Sequence, residues 1–179
     1  MRFGHMGLMV RDLDRMKDFY IRVLGFTPTD EGPASVNYIV FLCVEPRDHH
    51  QIFLCTGRGE GEAGSRIHHL AFRVEDLAEL RRIADRLKGE VKVLEPANHG
   101  IAWSIYTEDP EGNQLEFFVE TPWFVHQPMK RPLDFTLADH EIVRQTEAFC
   151  REQRGFEAQE NWYDKLRARM GRENENAHS

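Results

Sequence analysis

The segment at 5–13 reads HMGLMVRDL, and the segment at 69–77 reads HLAFRVEDL. Shifting the chain by 64 residues lays His5 on His69, Val10 on Val74, Asp12 on Asp76 and Leu13 on Leu77. The same shift pairs Gly25 with Gly89, Pro46 with Pro110 and Phe53 with Phe117. One offset that survives so far along the chain marks a duplication, with copies at about 3–56 and 67–120.

Each copy opens with alternating residues, the pattern of a strand with two unlike faces. Met6, Leu8 and Val10 oppose His5 and Gly7, while Leu70, Phe72 and Val74 oppose His69 and Ala71. A helix follows, capped by Asp12 or Asp76. Its apolar positions are Leu13, Met16, Phe19, Tyr20 and Val23 in one copy and Leu77, Leu80, Ile83, Ala84 and Leu87 in the other, a helical period in both. Gly25 and Gly89 stand where a left-handed helix cap belongs. Three strand-like runs complete each copy, around 26–30, 36–44 and 50–56 and around 90–94, 101–107 and 113–120. Turns at Glu45-Pro46-Arg47-Asp48 and Asp109-Pro110-Glu111-Gly112 join the last two runs. The expected class is α+β, built from two tandem βαβββ modules within 1–121.

From 122 to 179 the character changes. Pro122, Pro128 and Pro132 predict an extended connector. Thr136 to Asp139 reads as a capping box before a helix near 138–152. A charged helix near 156–170 and a disordered GRENENAHS end follow. Ile142, Val143, Phe149 and Phe156 need something to pack on, which makes a symmetric homo-oligomer the expectation.

Composition narrows the function. With 23 basic and 30 acidic residues among 179, the formal charge is −7. That balance argues against a nucleic-acid partner, whose binders cluster Lys and Arg. No apolar run approaches the roughly 18 residues of a membrane span. The N-terminal residues lack a signal-peptide core. Cys43, Cys55 and Cys150 form an odd, widely spaced set, best read as buried thiols in a reducing cytoplasm.

The candidates for chemistry come from the repeat. A histidine at a strand start is, taken alone, more often a satisfied polar residue than a ligand. His5 and His69, however, occupy equivalent positions opposite the helix-packing residues, with small Gly7 and Ala71 beside them. Glu116 lies among Leu115, Phe117 and Val119 but on the opposite face, with Gln114 and Phe118. A carboxylate on so apolar a strand is either an edge residue facing water or one that needs a partner or a metal. Two histidines and one carboxylate on one face match the facial triad of non-haem Fe(II) sites.

H-x-G-L-x-V-x-D at 5–12, HHLAF at 68–72 and DPEGNQLEFF at 109–118 resemble the vicinal oxygen chelate superfamily of glyoxalases, drug-resistance proteins and type I extradiol dioxygenases. The resemblance implies an incomplete barrel around a metal held by His5, His69 and Glu116. Metal-dependent glyoxalases of that superfamily usually add a ligand from the first module's last strand; the 64-residue shift carries Glu116 to Ile52, which cannot bind metal. The stretch HGIAWSIYTEDPEGNQLE from His99 to Glu116 resembles the extradiol signature through His99, Tyr106, Pro110, Gly112 and Glu116, although Ala97 departs from it.

The resemblance implies Fe(II), with Mn(II) as the alternative metal, and cleavage of a small aromatic diol by O2. His99 and Tyr106 would bind the substrate oxygens, and His50 would move a proton. Ile52, Leu54, Trp103 and Phe118 would wall the ring. His99 as a loop residue, Tyr106 as core and His50 as a turn residue are the plainer alternatives. A glyoxalase- or lyase-like metalloenzyme is the second reading, and a metal-free drug-binding protein the third.

Overall fold

The computed structural model describes residues 3–59 and 67–176, with side chains to residue 170. Two compact units divide the chain. The first comprises Met1–Leu70, Arg82–Leu94 and Thr107–Leu115; the second comprises Ala71–Arg81, Glu95–Tyr106 and Glu116–Ser179.

The first unit is built on a four-stranded sheet of order β1-β4-β3-β2, from β1 (Met6–Val10), β2 (Thr27–Ala34), β3 (Asn37–Cys43) and β4 (Ile52–Thr56). β1 runs parallel to β4, with Met6 opposite Ile52 and Val10 opposite Thr56. Alternation sends Leu8, Val10, Val40, Leu42, Ile52 and Leu54 into the core. Helix α1 (Leu13–Asp18) starts at Asp12, whose carboxylate accepts the Arg15 N–H. The predicted helix to Val23 changes character: Phe19–Val23 forms a π-helical turn, and that wider turn keeps Phe19, Tyr20 and Val23 all buried. The Tyr20 hydroxyl donates to buried Asp109, 3.3 Å away. Burial raises the Asp109 carboxyl above its ordinary range, against the lowering effect of its hydrogen bonds from Asn113, Glu111 and Tyr20.

A five-stranded sheet of order β10-β6-β7-β8-β5 carries the second copy: β5 (Leu70–Arg73), β6 (Leu94–Asn98), β7 (Ala102–Glu108) and β8 (Gln114–Glu120), with β10 (Arg131–Pro132) added at the edge. Without β10 its order, β5-β8-β7-β6, is that of the first sheet. Neither sheet is a closed barrel. Helix α2 (Leu77–Leu87) buries Leu77, Leu80, Ile83, Ala84 and Leu87, and Asp76 caps it through the Glu79 N–H. β6 begins at Leu94 instead of 90 because Glu90 and Val91 still bond back to the Leu87 carbonyl. Gly25 and Gly89 have φ of 83° and 81°, the expected caps.

Beyond Glu120, β9 (Trp123–Phe124) pairs with β11 (Glu157–Ala158), and helices α3 (Asp139–Arg151) and α4 (Gln159–Asn176) follow. The capping box does not form. Ala138 is the N-cap residue, Asp134 takes the Thr136 N–H and hydroxyl, and Arg81 engages Asp139 at 2.9 Å. The end expected to be disordered continues α4 to Asn176; 177–179 lie outside the described residues. Cys43, Cys55 and Cys150 are buried free thiols. No helix among the described residues is long and apolar enough to cross a membrane.

Candidate functional site

Alternation along β8 buries Leu115, Phe117 and Val119 and turns Glu116 and Phe118 to the other face. The turn sets the pairing with β7. The Asp109 N–H donates to the Asn113 carbonyl, and counting back along both strands places Tyr106 opposite Glu116. The Tyr106 hydroxyl lies 2.8 Å from Glu116 Oε1, and the Ser104 hydroxyl donates to the same oxygen at 2.7 Å. On its other side, Tyr106 Oη lies 3.0 Å from His99 Nε2, and His99 Nδ1 lies 2.5 Å from the Met129 carbonyl.

Proton counting gives this chain its chemistry. A carbonyl only accepts, so Nδ1 of His99 carries hydrogen. The single Tyr106 proton faces both Nε2 and Oε1. It can be donated to only one of them at a time. Burial, and then the Glu116 hydrogen bond, hold the Tyr106 phenol well above its ordinary pKa, so it stays protonated. Lys130 sits 4.6 Å from the centre of the Tyr106 ring and pairs with Glu95 at 2.9 Å.

In the first unit His5 packs against His50, with ring centres 4.2 Å apart, and against Phe53 at 5.9 Å. Phe41 completes the cluster, 4.8 Å from His50 and 6.0 Å from Phe53. His49 and His50 meet through their Nδ1 atoms at 2.9 Å, as His68 and His69 do at 2.7 Å. Burial first, then the neighbouring His5 and His49, lower the His50 pKa, so near neutral pH it is an acceptor.

Three expectations change. Ile52 and Leu54 are not on the His5 face; they are buried beside Leu8 and Val10, because β1 pairs Met6 with Ile52 and Leu8 with Leu54. The residue on the His5 face is Phe53. Trp103 is likewise core, its indole N–H donating to Thr146 of α3 at 2.9 Å. The repeat register also slips. Met6 N–H bonds to the Gln51 carbonyl and Val74 N–H to the Phe118 carbonyl, which sets Val74 opposite Val119 just as Val10 stands opposite Thr56. The structural counterpart of Glu116 is therefore Phe53, one residue past Ile52, and it too has no metal-binding atom. Phe118 keeps its expected face, with the Arg73 guanidinium 5.5 Å from its ring centre. Phe41 and Phe53 were missed; their alternation with buried Val40, Leu42, Ile52 and Leu54 was the available signal.

Two imidazoles and a carboxylate are a fitting donor set for a divalent ion such as Fe(II) or Mn(II). Ser104 and Tyr106 fix the Glu116 carboxylate as a second layer of hydrogen bonds would fix a ligand. His5 and His69 belong to the first unit and Glu116 to the second. Among the described residues no three His, Cys, Asp or Glu side chains are grouped so as to hold an ion.

Two βαβββ copies of one strand order, with histidines and a carboxylate held off the core faces, define a vicinal oxygen chelate fold. The model of the Glyoxalase/Bleomycin resistance protein/Dioxygenase superfamily matches residues 2–117, and the chain belongs to that superfamily. It is 29% identical over 126 residues to biphenyl-2,3-diol 1,2-dioxygenase 2 of Rhodococcus globerulus, a match taking in 66% of this chain and 63% of that protein. The chain thus spans less than two thirds of that relative. It is 30% identical over 126 residues to the lactoylglutathione lyase of Escherichia coli O157:H7, covering 67% of this chain and 93% of that one.

Two solved structures share the fold. One is a glyoxylase/bleomycin resistance protein/dioxygenase domain from Frankia sp. EAN1pec, with a TM-score of 0.59 at 23% identity, covering 68% of this chain and 93% of that one. The other is the fosfomycin resistance protein FosX of Listeria monocytogenes complexed with Mn(II), with a TM-score of 0.51 at 19% identity, covering 67% and 93%.

Proposed function

We propose that the chain is an Fe(II)-dependent extradiol dioxygenase that opens the ring of a catechol-type substrate with O2. The observation that carries this reading is the His99–Tyr106–Glu116 hydrogen-bond chain, which joins the residues of the extradiol signature in their sequence order. His5, His69 and Glu116 would hold the ion. Bound there, it supplies Lewis acidity toward the diol and the redox partner that O2 requires.

The chain's own side chains do the rest. Tyr106 Oη keeps a lone pair that accepts a hydrogen bond from a hydroxyl of the diol, and His99, both of whose nitrogens are engaged, acts by holding Tyr106 in place. His50, neutral near pH 7 because burial lowers its pKa, accepts a proton from a substrate hydroxyl. Phe118, on the Glu116 face of β8, offers aromatic surface to the ring. The test is an oxygen electrode: protein loaded anaerobically with Fe(II) should consume O2 when given catechols. His50→Ala should keep the iron and lose turnover.

A second reading is a glyoxalase- or lyase-like metalloenzyme. The match covers nearly the whole length of the lactoylglutathione lyase relative but only 63% of the dioxygenase, and this favours it. Turnover of a hydroxy- or oxo-compound with Mn(II), without O2 consumption, would select it.

A further inference from the structure

The superfamily match ends at residue 117, yet the residues that grip the His99 loop come after it. His99 Nδ1 donates to the Met129 carbonyl. The Gln127 side chain closes a second link between the same two residues. Its Nε2 donates to the His99 carbonyl at 2.8 Å, and its Oε1 accepts the Met129 N–H at 3.1 Å. One amide therefore holds both main chains, and with them the carbonyl that fixes the hydrogen on Nδ1. The flanks are fastened too. Asn98 donates to the buried Thr146 hydroxyl at 2.8 Å and accepts the Gly100 N–H at 2.8 Å, and Thr121 donates to the Gly100 carbonyl.

We propose that Gln127 is a positioning residue: by locking His99 to Met129 it keeps Nδ1 protonated and turns Nε2 toward Tyr106. The segment after residue 121 is thus a working part of the site, not an appended tail. Gln127 reaches no substrate and acts only through His99. Its exposure suits the test, because truncating an exposed side chain leaves the core intact. The consequence for turnover rests on the dioxygenase reading; the state of His99 does not.

The experiment is long-range proton–nitrogen NMR of the 179-residue chain labelled with 15N-histidine, metal-free, with the His99 signals assigned by their loss in His99→Ala. The expected wild-type pattern has hydrogen on Nδ1 and slow exchange of that hydrogen with water. Gln127→Ala should speed the exchange about fivefold, as expected for a net loss of about 1 kcal/mol, the worth of one hydrogen bond. Gln127→Glu, which cannot donate to the His99 carbonyl, should behave like Gln127→Ala. Gln145→Ala, an exposed glutamine bonded to Glu141, should leave the His99 signals in place. Unchanged His99 signals in Gln127→Ala overturn the proposal, whatever happens to activity.

A kinetic arm uses the Fe(II)-loaded enzyme. Gln127→Ala should lower kcat about fivefold at unchanged iron content, and an unchanged kcat alongside altered His99 signals would overturn the catalytic part. Altered His99 signals in a protein whose wild type cleaves no catechol would sustain the positioning role and refute the dioxygenase reading.

Discussion

The Phe53 ring lies over Gly7, where an added β-carbon would come within 2.1 Å of Cζ and 2.5 Å of Cε2. The glycine two residues beyond His5 is therefore the seat of an aromatic residue on the neighbouring strand. Gly7→Ala must push the ring away from His5, a clash that costs about 1–3 kcal/mol. In a Phe53→Ala background the same substitution should be nearly neutral, because the two residues share one space. Urea unfolding of the two single variants and the double variant measures the coupling; additive effects would refute it.

Glu116 depends on two hydroxyls. Removing either, by Ser104→Ala or Tyr106→Phe, should leave the fold intact and weaken metal binding about 10–100-fold, the usual cost of losing a ligand's supporting hydrogen bond. Anaerobic titration with Mn(II) or Fe(II) reads the loss. Wild-type affinity in both variants would mean that Glu116 is not a ligand held in this way.

The Asp109–Asn113 turn also carries a structural latch. Glu111, its side chain only 6% exposed, accepts the Arg11 and Asp12 N–H groups at 2.7 and 2.9 Å and pairs with Arg58 at 3.1 Å. Glu111→Ala should destabilise the chain by about 1–3 kcal/mol, because Arg58 loses its charge partner and two main-chain donors lose theirs. Glu111→Gln, which keeps an acceptor oxygen, should recover part of that. Equal losses for the two variants in thermal unfolding would contradict the acceptor role.

Burial, with Glu147 adding to it, pushes the Cys150 thiol up to about 11. The unfolded thiol ionises near its ordinary value of 9.0, so the unfolded state loses its proton first as pH rises. The contribution of Cys150 is present in full below about pH 9 and is lost as pH climbs through about 11. Wild type should therefore lose more stability than Cys150→Ala between pH 8 and 11. Parallel slopes for the two proteins in urea unfolding would contradict the shift.

Much of the fold is legible in particular residues. The alternation around His5 and His69, the capping Asp12 and Asp76 and the caps at Gly25 and Gly89 specify the duplicated modules, because local periodicity decides each of them. The register of the last strand is not legible. The link from β3 to β4 is longer than that from β7 to β8, so a constant shift finds Ile52 where the ladder places Phe53. Trp103 and Leu54 read as cavity wall only while the covering of each face is unknown. α3 supplies a buried Thr146 partner for the indole, and the β1–β4 ladder carries Leu54 inward. The Thr136 cap fails for a similar reason: Asp134 and Arg81 compete for the same groups, and no pattern in 136–139 announces them.

The central claim is that this chain opens an aromatic ring with O2, and the most direct measurement is isotopic. Protein loaded anaerobically with Fe(II) is given monocyclic and bicyclic catechols under 18O2, and the products are read by mass spectrometry. The account predicts a ring-opened product carrying both labelled atoms, lost in Glu116→Ala together with the iron. Iron bound by the wild type with no labelled product from any catechol would contradict it.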